Sequence, residues 1–148
     1  LLVACLVAAA GCGAGEPLDG GSPDGQRPDD GPRVADDRFD GEFAITDVVV
    51  DGVARPPVQR PSLAIEARFG GLTVNPGCNT YLGSFTLTED GRASFTVTGG
   101  SDLDCGDLTA QEEAVLSALD GATDWAEIDG GFRFDGPATS LTVAGPTA

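Results

Sequence analysis

The chain has 148 residues, enough for one domain and a little more. It carries 24 acidic side chains against 8 basic ones, a formal charge of −16, with every cation an arginine and no His or Met. Lack of His removes the imidazole base, the Ser–His or Cys–His nucleophile and the His-ligated metal, and lack of Lys removes the Schiff base and the phosphate-loop lysine. So negative a field repels phosphate backbones, which argues against nucleic acid and favours basic proteins or cations as partners. With no Met in the sequence, residue 1 reads as lying downstream of the biological start.

Residues 1–10 are apolar, of the length of a secretory core and too short to span a bilayer as a helix. They run into Ala9, Ala10, Gly11 and Cys12, and small residues directly before a Cys resemble a bacterial lipobox. There a diacylglyceryl group is added to the Cys thiol and the chain is cut just before it. Ala9 stands where Leu is usual. Cys5, after Leu2, Val3 and Ala4, fits the letters better but would leave an apolar run on the mature chain. An ordinary signal peptide with a chance Cys stays open beside these. The expectation is a signal segment over 1–11, lipidation at Cys12 and an extracytoplasmic position on the bacterial membrane. Residues 13–38 are dense in Gly, Pro and Asp and too poor in apolar side chains to offset their ordering entropy. With Cys12 they read as a tether over 12–38, roughly 25–30 Å end to end. Its Asp-Gly pairs lack the spacing of a calcium loop.

A folded domain is expected over 39–148, opening with a β-rich segment at 43–50 that stops at Asp51 and Gly52. Pro56, Pro57 and Pro61 make 53–61 an edge or a loop. Residues 62–69 alternate, with Leu63, Ile65, Ala67 and Phe69 on one face and Glu66 and Arg68 on the other. Gly70 and Gly71 then offer a two-residue hairpin into 72–74. Asn75, Pro76 and Gly77 are turn residues, and a second hairpin pairs 81–88 with 92–98 about Glu89, Asp90 and Gly91. The one helix is predicted over 109–120. Thr109 and Glu112 form a capping box, Val115, Leu116, Ala118 and Leu119 form the apolar stripe, and Gly121 is the stop. Strands at 125–128, 132–134 and 141–143 close the domain.

With Cys5 removed and Cys12 lipidated, Cys78 and Cys105 remain with one pairing in an oxidising compartment. Closing that loop would contribute roughly 3.5 kcal/mol. Two free buried thiols stay open, as does a reactive Cys78, approached over Gly77 with Asn79 donating to an oxyanion; no His is present to activate it. Asp102, Asp104 and Asp107 read either as a cation site or as a solvated loop before a helix. Glu112 and Glu113 read as paired carboxylates only if capping does not already occupy Glu112, and neighbouring helix positions point about 100° apart. Tyr81 and Trp125 read as core packing.

The spacing Gly77-Cys78-Asn79-x-Tyr81-x-Gly83-x-Phe85, then Cys105, then a helix bearing Gln111, Glu112 and Glu113, resembles the META/HslJ family of small envelope domains. The resemblance runs from residue 39 to the C-terminus, with Phe43 where relatives often carry Trp. It implies a mainly β fold: a small, partly open antiparallel β-barrel with one packed α-helix, similar to secretin-pilot lipoproteins. Its signature positions here are Gly77, Cys78, Asn79, Tyr81 and Gly83, and it implies no catalytic residue, metal or cofactor. The functional expectation is a monomeric, non-enzymatic, lipid-anchored accessory protein that contacts an envelope protein, with a link to envelope stress tolerance. Two alternatives are an acidic inhibitor of a basic hydrolase such as lysozyme, and a carrier of a small apolar ligand in the barrel. Enzyme chemistry ranks last, because only carboxylates, hydroxyls and two cysteines are available.

Overall fold

Apolar alternation interrupted by Gly, Pro and Asp yields nine strands, every adjacent pair antiparallel, in the computed structural model, which describes residues 37–145. The expected signal segment, the Cys12 lipidation site and the expected tether as far as residue 36 lie outside the described residues. The elements are β1 (Gly41–Val50), β2 (Val53–Ala54), β3 (Ser62–Glu66), β4 (Gly71–Asn75), β5 (Tyr81–Leu87) and β6 (Ala93–Gly100). After them come α1 (Thr109–Gly121), β7 (Asp124–Ile128), β8 (Gly131–Asp135) and β9 (Thr139–Ala144). Spatial order is β6-β5-β4-β3-β1-β9-β8-β7, with β2 folded back beside β1. The long β1 therefore joins two meanders, and the sheet curls into an open half-barrel.

Strand β1 changes phase part-way. Phe43 and Ile45 point into the core, and then a bulge between Ile45 and Asp47 shifts the register against β9 so that Val48 points inward next. An extra residue in one strand reverses the alternation and sharpens the bend. This kink lets β1 serve both meanders. Helix α1 lies across the concave side and contacts β1, β6, β8 and β9. Its Ala114, Val115, Ala118 and Leu119 are buried against Phe43, Leu63, Phe134, Leu141 and Val143 of the sheet.

The described residues open with a 3₁₀ turn over Asp37–Phe39, two residues before the expected start of the domain. Phe39 is completely buried, stacked on Phe132 at 4.4 Å and edge-on to Trp125 at 5.1 Å. Trp125 is thus half core, as expected, and its indole N–H donates to Thr88 O at 2.9 Å.

Two local expectations fail. β3 stops at Glu66 instead of running to Phe69; residues 67–70 form the turn, Phe69 N–H donates to Glu66 O, and Gly70 takes a φ of +66°. Phe69 consequently points outward, 79 % exposed, because the hairpin pairs Glu66 with Gly71. Gly121 is the last helical residue, not a left-handed stop, and a Cβ there would sit 2.7 Å from Thr139 Oγ1. Close packing explains that glycine.

Phe39→Ala removes a ring that ties the first turn to the last meander. It should lower stability by about 3–5 kcal/mol, read as a reduced urea midpoint followed by fluorescence of the single tryptophan.

Candidate functional site

The expected signature positions converge where the turn after β4 meets the first turn of α1. Asn75 Oδ1 accepts the Gly77 N–H at 2.9 Å, tightening the turn. Gly77 adopts φ +129°, and a Cβ there would lie 2.6 Å from Gln111 Nε2, so both the backbone angle and the space require glycine. Gln111 is a staple: its carbonyl oxygen accepts from Val58 N (2.8 Å) and Gln59 N (3.2 Å), and its amide donates to Pro76 O. It therefore fastens the Pro-rich loop and the Gly77 turn to the helix.

That turn sets Cys78 opposite Cys105, whose backbone leads into a 3₁₀ turn over Gly106–Leu108 and then α1. The two sulfurs are bonded at 2.11 Å, with Cα atoms 5.7 Å apart. This pairing realises the disulfide alternative among those left open by the sequence.

Next to the disulfide lies Glu112, only 6 % exposed, and Asn79, only 4 % exposed. Asn79 Nδ2 donates to Glu112 Oε1 at 2.7 Å and to Leu103 O at 3.2 Å. Asn79 Oδ1 accepts from Ser101 Oγ and from Leu103 N, each at 2.8 Å. The side-chain amide thus uses both donors and both acceptors, as a buried amide must. Tyr81 O–H donates to the same Glu112 Oε1, and Asn79 N–H approaches Oε2 at 3.4 Å. Glu112 also lies in the first turn of α1, where the helix dipole favours negative charge. Cys105 Sγ sits 2.9 Å from Glu112 Oε2, but a disulfide sulfur carries no proton, so this is a packing contact and not a hydrogen bond.

The capping box is overturned by this network. The chain enters α1 from the 3₁₀ turn with Leu108 already in helical geometry, so no extended cap residue exists at Thr109, and no side-chain cap bond forms. Glu112 is free to turn away from the backbone and bury itself against Asn79. Tyr81 is likewise more than packing, because its hydroxyl serves that carboxylate. Gly83 has another role: a Cβ there would lie 2.2 Å from Thr96 O on β6, so the residue permits close strand approach at a bulge.

Cys78, Cys105 and Glu112 are the only group of three or more metal-type donors within reach of one another among the described residues, all inside 4.8 Å. With the sulfurs bonded to each other neither is a thiolate, and that donor set does not exist in the oxidised protein. Asp102, Asp104 and Asp107 do not converge; they are exposed along the loop, and Asp104 caps Gly106 N–H at 3.1 Å. Glu113 is exposed and separated from Glu112 in direction, so the two are not a catalytic pair. A cleft of about 240 Å³ opens above the network, bordered by Tyr81, Asp102, Leu103 and Leu116.

The fold finds counterparts elsewhere. The META domain family profile matches residues 37–136. The chain belongs to the META domain family. Two solved structures resemble this META domain at the level of fold. One is an NMR structure of a protein from Burkholderia xenovorans, 22 % identical, with a TM-score of 0.59, covering 85 % of this chain and 97 % of that one. The other is a DUF4847 family protein from Bacteroides vulgatus, 11 % identical, with a TM-score of 0.56, covering 75 % of this chain and 96 % of that one. No curated relative matches the chain.

Donation to Glu112, then burial and the carboxylate's charge, push the Tyr81 phenol from 10.0 up to about 12. A phenol with a raised folded pKa stabilises the META domain fully below pH ~10 and loses that contribution as pH climbs towards ~12. Because Tyr81 is the only tyrosine, an ultraviolet titration reads it alone. The native protein should ionise near the raised value, and Glu112→Gln should bring the midpoint down towards 10. The disulfide bridges positions 27 apart. Cys78→Ala with Cys105→Ala should cost about 3.5 kcal/mol of stability by loop entropy, measured by urea unfolding under oxidising conditions.

Proposed function

We propose that this META domain is a non-enzymatic, lipid-anchored accessory module of the cell envelope, acting through protein contacts in envelope stress tolerance. The observation that carries this reading is the state of the signature residues. Cys78 is bonded to Cys105, and Glu112, the buried carboxylate, is taken up by Asn79 and Tyr81. Residues committed in this way hold a scaffold together and leave no activated nucleophile or base. A disulfide of this kind persists in oxidising compartments, consistent with export, and the Cys12 lipobox supplies the anchor.

A second reading has its own support. A charge of −16 suits binding to a basic hydrolase such as lysozyme, with affinity that falls steeply as salt rises. The interior weighs against the carrier of small apolar ligands, since Phe39, Phe43, Phe134, Val115 and Leu119 fill the space between helix and sheet.

For the test, the full chain with its native leader is expressed in a bacterial host and crosslinked in intact envelope. Membrane association that disappears in Cys12→Ala, together with a specific crosslinked protein, is the expected outcome. Unchanged fractionation in Cys12→Ala and no partner above background would overturn the reading, while lysozyme inhibition confined to low salt would shift it to the second.

A further inference from the structure

Among the described residues the sheet ends in two edge strands, β6 and β7, which meet only at one bridge, and β6 is unpaired on its outer side over most of its length. At its start β6 is held by the last meander: Ala93 N–H donates to Thr123 O at 2.9 Å, and Gly91 O accepts from Trp125 N at 2.8 Å. Arg92 pairs with Asp124 between them. The ladder ends there because the chain before Thr123 is the helix, not a strand. Strand alternation sends the backbone groups of residues 91, 93, 95 and 97 to the same side. Phe85 confirms the phase. Its N–H bonds Gly70 O on the β4 side, so its partner Phe95 directs N–H and C=O away from β5. Among the described residues, the outward groups of Phe95 and Val97 have no strand beside them.

This edge borders a cleft of about 300 Å³ lined by Phe95, Thr96, Val97, Leu116 and Asp120. Leu116 also lines the cleft above the Asn79–Glu112 network, so the two form one seam between β6 and α1. Apolar surface runs along it at Val97, Leu116 and the 63 %-exposed Leu103. Its charged members are Asp102, Glu112, Glu113 and Asp120, and no arginine lines either part. Asp120 stands in the last turn of α1, which has no basic residue, where its charge opposes the helix dipole. A carboxylate in that position works against the helix, and it lines the cleft beside β6.

We propose that the seam between α1 and the free edge of β6 binds an extended segment of a partner protein in which basic and apolar side chains alternate, added as a further strand to β6. Main-chain bonds to Phe95 and Val97 would give affinity, and the apolar floor with its acidic rim would choose the sequence. A second copy of this chain is disfavoured as occupant by mutual repulsion at a charge of −16. This inference deepens the accessory-module reading by naming the contact surface.

The test titrates the full chain with short soluble peptides alternating Lys with Val or Ile, and with the same peptides N-methylated at alternate amides. Expected are shifts centred on the Phe95 and Val97 amides in NMR spectra, loss of binding on N-methylation, and about tenfold weaker binding in Asp120→Lys. Glu89→Lys, in the β5–β6 turn and lining neither cleft, with the same change in charge, should bind as the native chain does. Asp120→Lys relieves an unfavourable helix-end charge and is expected to fold. Equal binding of methylated peptides, equal weakening by both variants, self-pairing along β6 or no binding at all would each overturn the proposal. Failure here with a crosslinked envelope partner still found would leave the accessory reading standing; peptide binding with no membrane association would do the reverse.

Discussion

Everything near the signature of this META domain depends on one buried carboxylate. Glu112 is held at 6 % exposure, and an ionised group taken from water costs several kcal/mol unless it is closely compensated. The compensation comes from far along the chain: the Asn79 amide, the Tyr81 hydroxyl and the dipole at the start of α1. Each partner needs its own support. Asn79 is fixed by Ser101 and Leu103, and Cys78 holds the neighbouring loop to Cys105. Gly77 lets the turn pass beneath Gln111. Loss of any one would leave a buried polar group short of a partner, which costs more than the bond itself contributed. The five signature positions are thus four parts of one corner, with Gly83 serving strand approach next door.

That corner also decides the shape of the barrel. By tying the first turn of α1 to the β4–β5 turn, it lays the helix across the concave side of the sheet. Val115, Ala118 and Leu119 then complete a core that the two meanders could not close by themselves. The chain then enters β7, which meets the start of β6 only through the Arg92–Asp124 bridge and its flanking backbone bonds. Thr123 O–H and then Arg92 hold the Asp124 carboxyl below the usual carboxylate range, but both members of the ion pair are solvated, and such pairs contribute little. Closure there rests on two backbone hydrogen bonds and the Trp125 indole.

How much of this is legible in the sequence follows from how local each signal is. The hairpin about Glu89, Asp90 and Gly91, the Pro-interrupted loop and the helix expected over 109–120 all rest on neighbours in the chain, and they appear within a residue or two of where periodicity and turn residues put them. With Cys5 and Cys12 assigned to the signal segment and the anchor by expectation, Cys78 and Cys105 are the pair left to consider, and the family resemblance marks the right corner. What local patterns misassigned were residues with distant partners. Thr109 and Glu112 have the spacing of a capping box, yet Asn79, 33 positions away, offers Glu112 a better-satisfied place. Phe69 continues a period of two but falls beyond the pairing of Glu66 with Gly71. The bulge in β1 inverts which of Asp47 and Val48 faces inward, and no residue type announces it. Gln111 as a staple for Val58 and Pro76 had no signal at all beyond lying beside Glu112.

An open strand edge is a liability, because its free N–H and C=O groups are a template for any extended chain. Proteins commonly blunt such an edge with lysine, proline or a covering loop. Here β6 has neither lysine nor proline between Ala93 and Gly100, and among the described residues no strand pairs along its outer side beyond Ala93. Protection against self-pairing comes from the charge of the whole molecule, since two copies at −16 repel one another before edges can meet. The same charge is no barrier to a positively charged segment and draws one in. Charge thereby separates the two outcomes that an unpaired edge normally confuses, aggregation with itself and recognition of another chain. Blocking both with a lysine would have been the simpler sequence solution; the acidic composition blocks only one.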